Sequence, residues 1–548
     1  MSVRNGGDLL VQLMRENGVH TAFGVVSIHN LPLVGAVERE LRFVPVRHEA
    51  AAVNAADGYA RVGGGLGVAI TSTGTGAGNA AGSLVEAQAA GSRVLHVTGQ
   101  IDSAYLGAGR GVIHEAKNQL GMLAAVSKHA ATVPSASEVV GVLRAAVAQA
   151  RSLPYGPASV EWPIDLQYAA QPSDTASLAP DADAPAAADA RAVADAARLI
   201  AEARRPLIWA GGGAVAAGEW VGRLAEWAGA GVLTSNSGRG TIPEDHPLVI
   251  GNFASNPGAA DLLGAADLLV AIGTHFRSNE TRHYGLRLPE RQVQIDLDPA
   301  APGRVYPATV GVVGEAREVL RAVLDSIAGQ AATEQRWRER VAAVRTGVRA
   351  RLADDIGPYL PICRAIRERL PRESPIVRDV TIPSTMWGNR LLEIYRPETN
   401  VFAVGGGIGQ SLGMGIGAAS ARPEVPTLVL AGDGGLAVHL GELATLAQER
   451  PWLTVLVCND GGYGVLRNLQ DAHAGRRAGV DLHTPDFGGL AAALGLPYQL
   501  VRAPERFAEA LDKALAERGP SILEVDVTAL GPLPAPFVPP VRVPGRAQ

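Results

Sequence analysis

Short apolar runs recur along this chain, each closed by a Gly-rich or polar turn and followed by a stretch with helical spacing. Unbroken apolar runs of this length are strands buried on both faces, and their alternation with helices predicts parallel α/β sheets. In the first third the pattern predicts strands at Thr21–Val25, Arg42–Val46, Gly67–Thr71, Arg93–Thr98 and Ala158–Trp162. In the middle they fall at Pro206–Ala210, Gly231–Ser235, Leu268–Gly273 and Gln292–Leu297. The last third has Thr427–Leu430, Leu453–Cys458, Tyr498–Val501 and Ile522–Val527. Between the first two sets, Gln171–Ala190 is rich in Ala, Pro and Asp without apolar periodicity, which predicts a linker. A weaker boundary lies at Asp354–Pro361, where a charged helical pattern gives way to Gly357-Pro358. From Gly531 onward the chain is proline-rich and excludes an ordinary helix or central strand.

The expected organisation is therefore three parallel-sheet α/β domains, at 1–172, 190–330 and 358–530, with a tail at 531–548. The first and last share a strand-turn-helix rhythm that fits an old duplication, without a visible sequence repeat. Composition agrees: 548 residues exceed one core, and 47% hydrophobic against 19% charged residues describe a folded chain. A net charge of −5 gives no reason to expect nucleic acid or an anionic membrane as partner. The amphipathic N-terminus lacks the features of a secretory signal, and no apolar segment reaches bilayer-spanning length. The two cysteines, Cys363 and Cys458, make neither a disulfide framework nor a metal-ligand spacing, so a cytoplasmic protein is expected.

Candidate chemistry concentrates at 431–466. An apolar strand runs into Gly432-Asp433-Gly434-Gly435, a helix follows, and a second apolar strand ends in Asn459-Asp460-Gly461-Gly462. In a β-α-β unit the strand ends share one rim of the sheet, so Asp433 and Asp460, 27 positions apart, can hold one hard cation. With the Gly462 carbonyl as third ligand, the set suits magnesium completed by phosphate oxygens. Gly434 and Gly435 offer free N–H groups at a helix start to a diphosphate. Each tripeptide alone is an ordinary turn former, but the pair in one unit is much harder to dismiss.

The arrangement resembles the thiamin diphosphate motif, which opens on Gly-Asp-Gly and closes on Asn-Asn, with Asp460 in place of the second Asn. Arg47-His48-Glu49, followed by a small-residue helix and Gly58-Tyr59-Ala60-Arg61, resembles a second motif of the same enzymes, in the decarboxylase and acetolactate synthase group. A Glu in a first helical turn is commonplace, yet two motifs of one family in order make coincidence unconvincing. The resemblance covers nearly the whole chain except the tail. It implies that Glu49 meets the coenzyme's aminopyrimidine across a subunit interface and relays a proton there. Gly407 and Ile408, within Gly405–Gly413, match the segment that wedges the coenzyme; Gly432, Tyr463, Gly464 and Val465 complete the binding set.

Other rim residues are read with the same resemblance in view. Ser72, in the Gly-rich stretch after Thr71, stands where benzoylformate decarboxylases carry a catalytic His. His114 stands where carboligases of the group commonly place Gln and pyruvate decarboxylases a His; a neutral His there can relay a proton. His29, on another rim loop, is a further candidate, while His439 is expected to pack or face solvent. Ile28, His29, Val465, Leu466 and Leu469 are expected to line an apolar substrate pocket. The middle domain resembles the one that binds FAD in acetolactate synthases, but Leu207–Val215 lacks a dinucleotide fingerprint, so FAD is left open and not predicted. The resemblance implies a thiamin diphosphate and magnesium dependent enzyme acting beside the carbonyl of a 2-oxo acid or aldehyde, with decarboxylation, carboligation, or acyloin or 2-hydroxyacyl cleavage as outcomes. A catalytically idle cofactor-binding subunit is the alternative of another class, against which Glu49 speaks. A dimer is the implied minimum and a tetramer the implied assembly.

Overall fold

The computed structural model describes residues 4–171, 177–179, 187–327, 329–473, 475–534 and 537–539. Much of the linker at Gln171–Ala190 and of the tail lies outside the described residues. Eighteen described strands form three six-stranded sheets, and every named strand pair is parallel. The first sheet contains β1 (Thr21–Gly24), β2 (Arg42–Pro45), β3 (Gly67–Thr71), β4 (Val94–Gln100), β5 (His129–Thr132) and β6 (Ala158–Pro163). The second contains β7 (Pro206–Ala210), β8 (Gly231–Thr234), β9 (Val249–Gly251), β10 (Leu268–Ile272), β11 (Gln292–Asp296) and β12 (Val310–Val313). The third contains β13 (Ile376–Arg378), β14 (Asn400–Phe402), β15 (Thr427–Gly432), β16 (Leu453–Asn459), β17 (Tyr498–Val501) and β18 (Ser521–Asp526).

The strand orders are β2-β1-β3-β4-β6-β5, β12-β11-β10-β7-β8-β9 and β14-β13-β15-β16-β18-β17. Counted within each domain, the first and third sheets have one winding, 2-1-3-4-6-5, as a duplication requires. The middle sheet runs 3-2-1-4-5-6 from its other edge, the order of a nucleotide-binding fold. Five strands were not anticipated: β5, β9, β12, β13 and β14. Four of these are edge strands, and several span only three or four residues. An edge strand packs on fewer neighbours, so its sequence need not be a continuous apolar run.

The first and third domains meet chiefly at a helix pair, Glu49–Gly63 on Ser411–Ala421. Both helices are built from small residues, and their backbones nearly touch. A Cβ added at Gly417 would lie 1.8 Å from the Ala55 carbonyl oxygen, and one at Gly58 would lie 2.1 Å from that of Met414. This contact fixes the start of one helix, at Glu49, relative to the Gly405–Gln410 loop that precedes the other. The described part of the tail leans on the third domain, where Asn468 donates to the Phe537 carbonyl at 2.7 Å. No described helix is long and apolar enough to cross a membrane.

Candidate active site

Strands β15 and β16 pair in register up to Gly432 and Cys458, so the residues that follow leave the sheet side by side at its carboxyl rim. The Asp460 N–H donates to Asp433 Oδ1 at 3.3 Å. Asp433 Oδ2 and Asp460 Oδ1 are buried and have no hydrogen-bond partner among the described residues. Burial pushes both carboxyls up; Asp460 rises to about 6, from burial first and then from the Asp433 charge, against the pull of Arg467. Two buried carboxylate oxygens left without donors are what a hard divalent cation would satisfy. Gly462 sits at φ 142°, and a Cβ there would lie 2.3 Å from the Val480 carbonyl oxygen, so this turn accepts only glycine.

The pair borders a cavity of about 350 Å³, within the range of small-ligand sites. Gly432, Gly435, Gly462, Tyr463 and Gly464 supply its backbone-rich side; Ile382, Ile408, Val465, Leu466 and Val527 supply an apolar side. The glycines are needed for close approach: a Cβ at Gly434 would lie 2.8 Å from the Tyr463 ring, and one at Gly464 would lie 1.9 Å from Asp460 Oδ2. The helix after the turn, Asp433–Val438, is only six residues long, and the next, Glu442–Glu449, starts after a break. An anion would therefore be held by individual N–H groups rather than by a long helix dipole. His439 ends the first of these helices and packs on His48, ring centroids 5.3 Å apart.

Asp379, at the end of β13, was missed by sequence reasoning. Its buried carboxylate accepts from the Gly409 N–H at 3.0 Å, the Ser411 hydroxyl at 2.8 Å and the Val380 N–H at 2.7 Å. It thus pins the loop bearing Ile408, which is 37% exposed and faces the cavity. Burial raises its pKa against these donors. The three-residue strand before it gave no signal, and its partners lie about 30 positions away.

A second group gathers on the rim of the first sheet. Glu49 opens its helix half-buried, and its Oε2 accepts from Asn79 Nδ2 at 3.0 Å. Gly76 leaves the space it occupies: a Cβ there would lie 2.9 Å from Glu49 Oε1 and 2.8 Å from Ser72 Cβ. The next glycine, Gly74, abuts the His114 carbonyl at 2.3 Å by the same construction. His114 has φ 68°, in the left-handed region, and its Nδ1 lies 3.3 Å from His29 Nδ1. Burial and then the His114 charge lower the His29 pKa. Beneath, Thr73 donates to Gln100 and Gln119, and Gln100 donates to the buried Glu161 at 3.0 Å, which braces this turn.

The sequence-derived residues thus form two groups within one chain. Asp433, Gly435, Asp460, Gly462, Tyr463, Gly464, Val465, Leu466 and Ile408 border the cavity. Glu49, Ser72, His29 and His114 do not, and neither do Ile28 or Leu469. Gly407 and Gly434 are chain neighbours of the lining, close to Gln410 and Tyr463 respectively.

All three domains match known family descriptions. Residues 4–122 match the thiamine pyrophosphate enzyme N-terminal TPP binding domain, 193–323 the central domain, and 383–525 the C-terminal TPP binding domain. The chain is a thiamine pyrophosphate enzyme. Among curated members of the family it is 32% identical over 525 residues to the probable 2-ketoarginine decarboxylase of Pseudomonas aeruginosa, covering 95% of this chain and 93% of that one. It is 28% identical to the probable acetolactate synthase large subunit of Methanocaldococcus jannaschii, covering 98% and 93%. It is also 28% identical to the acetolactate synthase isozyme 2 large subunit of Escherichia coli, covering 98% of each chain. This thiamine pyrophosphate enzyme is therefore of the decarboxylase and acetolactate synthase type, and its fold is the one the motifs implied.

Proposed function

We propose that the protein decarboxylates a 2-oxo acid with an apolar side chain, using thiamin diphosphate anchored through magnesium, and releases an aldehyde. The observation that carries this is the pair of buried, partnerless oxygens on Asp433 and Asp460 at the mouth of the cavity. Asp433, Asp460 and the Gly462 carbonyl hold the cation, and the backbone at Gly434 and Gly435 receives the diphosphate. Ile408, on the loop that Asp379 pins, would wedge the coenzyme. When bound, thiamin diphosphate would supply a nucleophilic carbon for the 2-oxo carbonyl and a cationic ring to take up the electron pair left as carbon dioxide departs.

Glu49 completes the site from a second copy of the chain, where its carboxyl holds a proton against the aminopyrimidine. The exposed apolar residues Val26, Ile28 and Ile113 on the first rim, and Val438 and Leu466 on the third, support burial against another copy. A homodimer is the smallest complete enzyme, and a tetramer of two such dimers is the proposed assembly. The His29 and His114 rings meet nitrogen to nitrogen, so one donates and the other accepts. A proton taken at the outer nitrogen of one ring leaves from the outer nitrogen of the other, which suits protonation of the product carbon. Ser72 lies on the same rim as a polar contact. Among the described residues, the only carboxylates bordering the cavity are Asp433 and Asp460. Val465 and Leu466 give the proposed substrate side chain an apolar wall.

Carboligation of the acetolactate synthase kind is the second reading, favoured by the full-length similarity to those enzymes. Carbon dioxide release from a panel of 2-oxo acids, with and without acceptor aldehydes, separates the two. The expected result is turnover of apolar substrates to aldehydes, and a loss of about 100-fold or more in Glu49→Gln, as for removal of an acid–base group. No release from any 2-oxo acid, or a Glu49→Gln variant as fast as the parent, would overturn the proposal.

A further inference from the structure

Asp460 changes what the cation site can do before the coenzyme arrives. The motif this segment resembles offers a carboxylate and a neutral amide, whereas this chain offers two carboxylates. Among the described residues, only Arg467 offsets them, and only in part. Among the described residues, the nearest cation to Asp460 Oδ1 is the Arg467 guanidinium, at 3.8 Å. That guanidinium is committed elsewhere: Nη1 donates to the Asp460 carbonyl at 2.8 Å, Nη2 to the Gly461 carbonyl at 2.8 Å, and Nε to Asp481 Oδ1 at 2.8 Å. It braces the turn without meeting the carboxylate in a hydrogen bond.

The carboxylates are also held in place. Asp433 Oδ1 takes the Asp460 N–H, and Gly464 closes against Asp460 Oδ2, where a Cβ would lie only 1.9 Å away. Each side chain keeps one buried oxygen free, Oδ2 of Asp433 and Oδ1 of Asp460. Two like charges facing one cavity with their free oxygens already desolvated favour a divalent cation over water.

Resting on the proposed magnesium site, we infer that the coenzyme-free protein binds a divalent cation by itself, one per chain, and that Asp460 is the residue that confers this. Binding is then ordered: the cation enters first and presents a charged seat to the diphosphate. With Asn at this position the site would carry one negative charge and would wait for the diphosphate to supply the rest.

The test uses the whole protein stripped of metal and coenzyme, titrated with manganese by calorimetry and by electron paramagnetic resonance of the free ion. The expected result is one site per chain in the parent, weakened at least about 10-fold in Asp460→Asn, since ligand charge count sets affinity in oxygen sites. Asp460→Asn is tested beside it for coenzyme binding at high magnesium, by near-ultraviolet circular dichroism, which reports a folded site. Equal manganese affinity in parent and variant would overturn the inference. So would a parent that binds manganese only once thiamin diphosphate is added, and that result would leave the proposed enzyme intact. A parent that binds neither manganese nor coenzyme in any order would overturn both.

Discussion

The helix pair that joins the outer sheets makes Gly417→Ala the most informative packing variant. In a free helix this change stabilises, by up to about 1 kcal/mol, because alanine costs less backbone entropy than glycine. Here the new methyl would sit 1.8 Å from the Ala55 carbonyl oxygen, where ordinary contact begins near 3.4 Å. The helices must part by roughly 1.5 Å, and overpacking on that scale costs about 1–3 kcal/mol or more. The clash outweighs the propensity gain, giving a net loss of about 1–2 kcal/mol and a melting temperature lower by roughly 2–8 °C for a domain of this size. Because the same contact fixes how the Glu49 rim and the Ile408 loop of one chain reach the two different sites of the proposed dimer, coenzyme affinity is expected to fall as well. Gly347→Ala is the control: it lies mid-helix with nothing within 4 Å of the added methyl, and is expected to melt at or slightly above the parent temperature. Thermal melting of the two variants, with and without coenzyme, reads both effects. A Gly417→Ala protein as stable as the control, with parental coenzyme affinity, would refute the packing account.

Two further outcomes follow from the first domain. His96 is fully buried between Thr71 Oγ1, 2.8 Å away, and Ser159 Oγ, and burial lowers its pKa to about 4. The unfolded chain takes up that proton from about pH 6.5 downward while the native state does not, so stability falls with falling pH across 6.5 to 4. The drop from this group is about 3 kcal/mol, and a His96→Gln variant that still folds should show a shallower acid limb in melting experiments. At the rim, His29→Asn should slow aldehyde formation about 100-fold or more while leaving coenzyme binding unchanged, with a larger share of acyloin when an acceptor aldehyde is present; product analysis by chromatography reads the partition.

Much of the architecture could be read from the chain because its central strands are buried on both faces, as Val68–Ile70 and Leu428–Leu430 are. Burial on both sides demands apolar residues at every position, and that demand is visible in one dimension. β9, β12 and β14 lie at sheet edges, where fewer neighbours enforce less, so Val249–Gly251 and Asn400–Phe402 were not anticipated as strands. The paired carboxylates Asp433 and Asp460 were legible because each closes a strong strand and the two strands are adjacent. Asp379 was not, since its partners Gly409 and Ser411 meet it only through the fold. The same holds for His29 and His114, 85 positions apart yet in ring contact, whose pairing no spacing rule expresses. Leu469, expected beside Val465 and Leu466 on the cavity wall, falls outside the lining, while Tyr359 enters it from the turn Gly357–Tyr359.

The central claim is that Glu49 of one copy and Asp433 of another serve a single coenzyme. Within one chain Glu49 stays outside the cavity that Asp433 borders, so complementation between inactive variants is the direct measurement. Glu49→Gln and Asp433→Asn are each expected to be inactive alone. Mixed in equal amounts and allowed to exchange, a two-fold symmetric assembly leaves about one site in four with both groups intact, and activity should recover to roughly a quarter of the parent value. No recovery after demonstrated exchange would mean that both groups act within one chain, and would contradict the account.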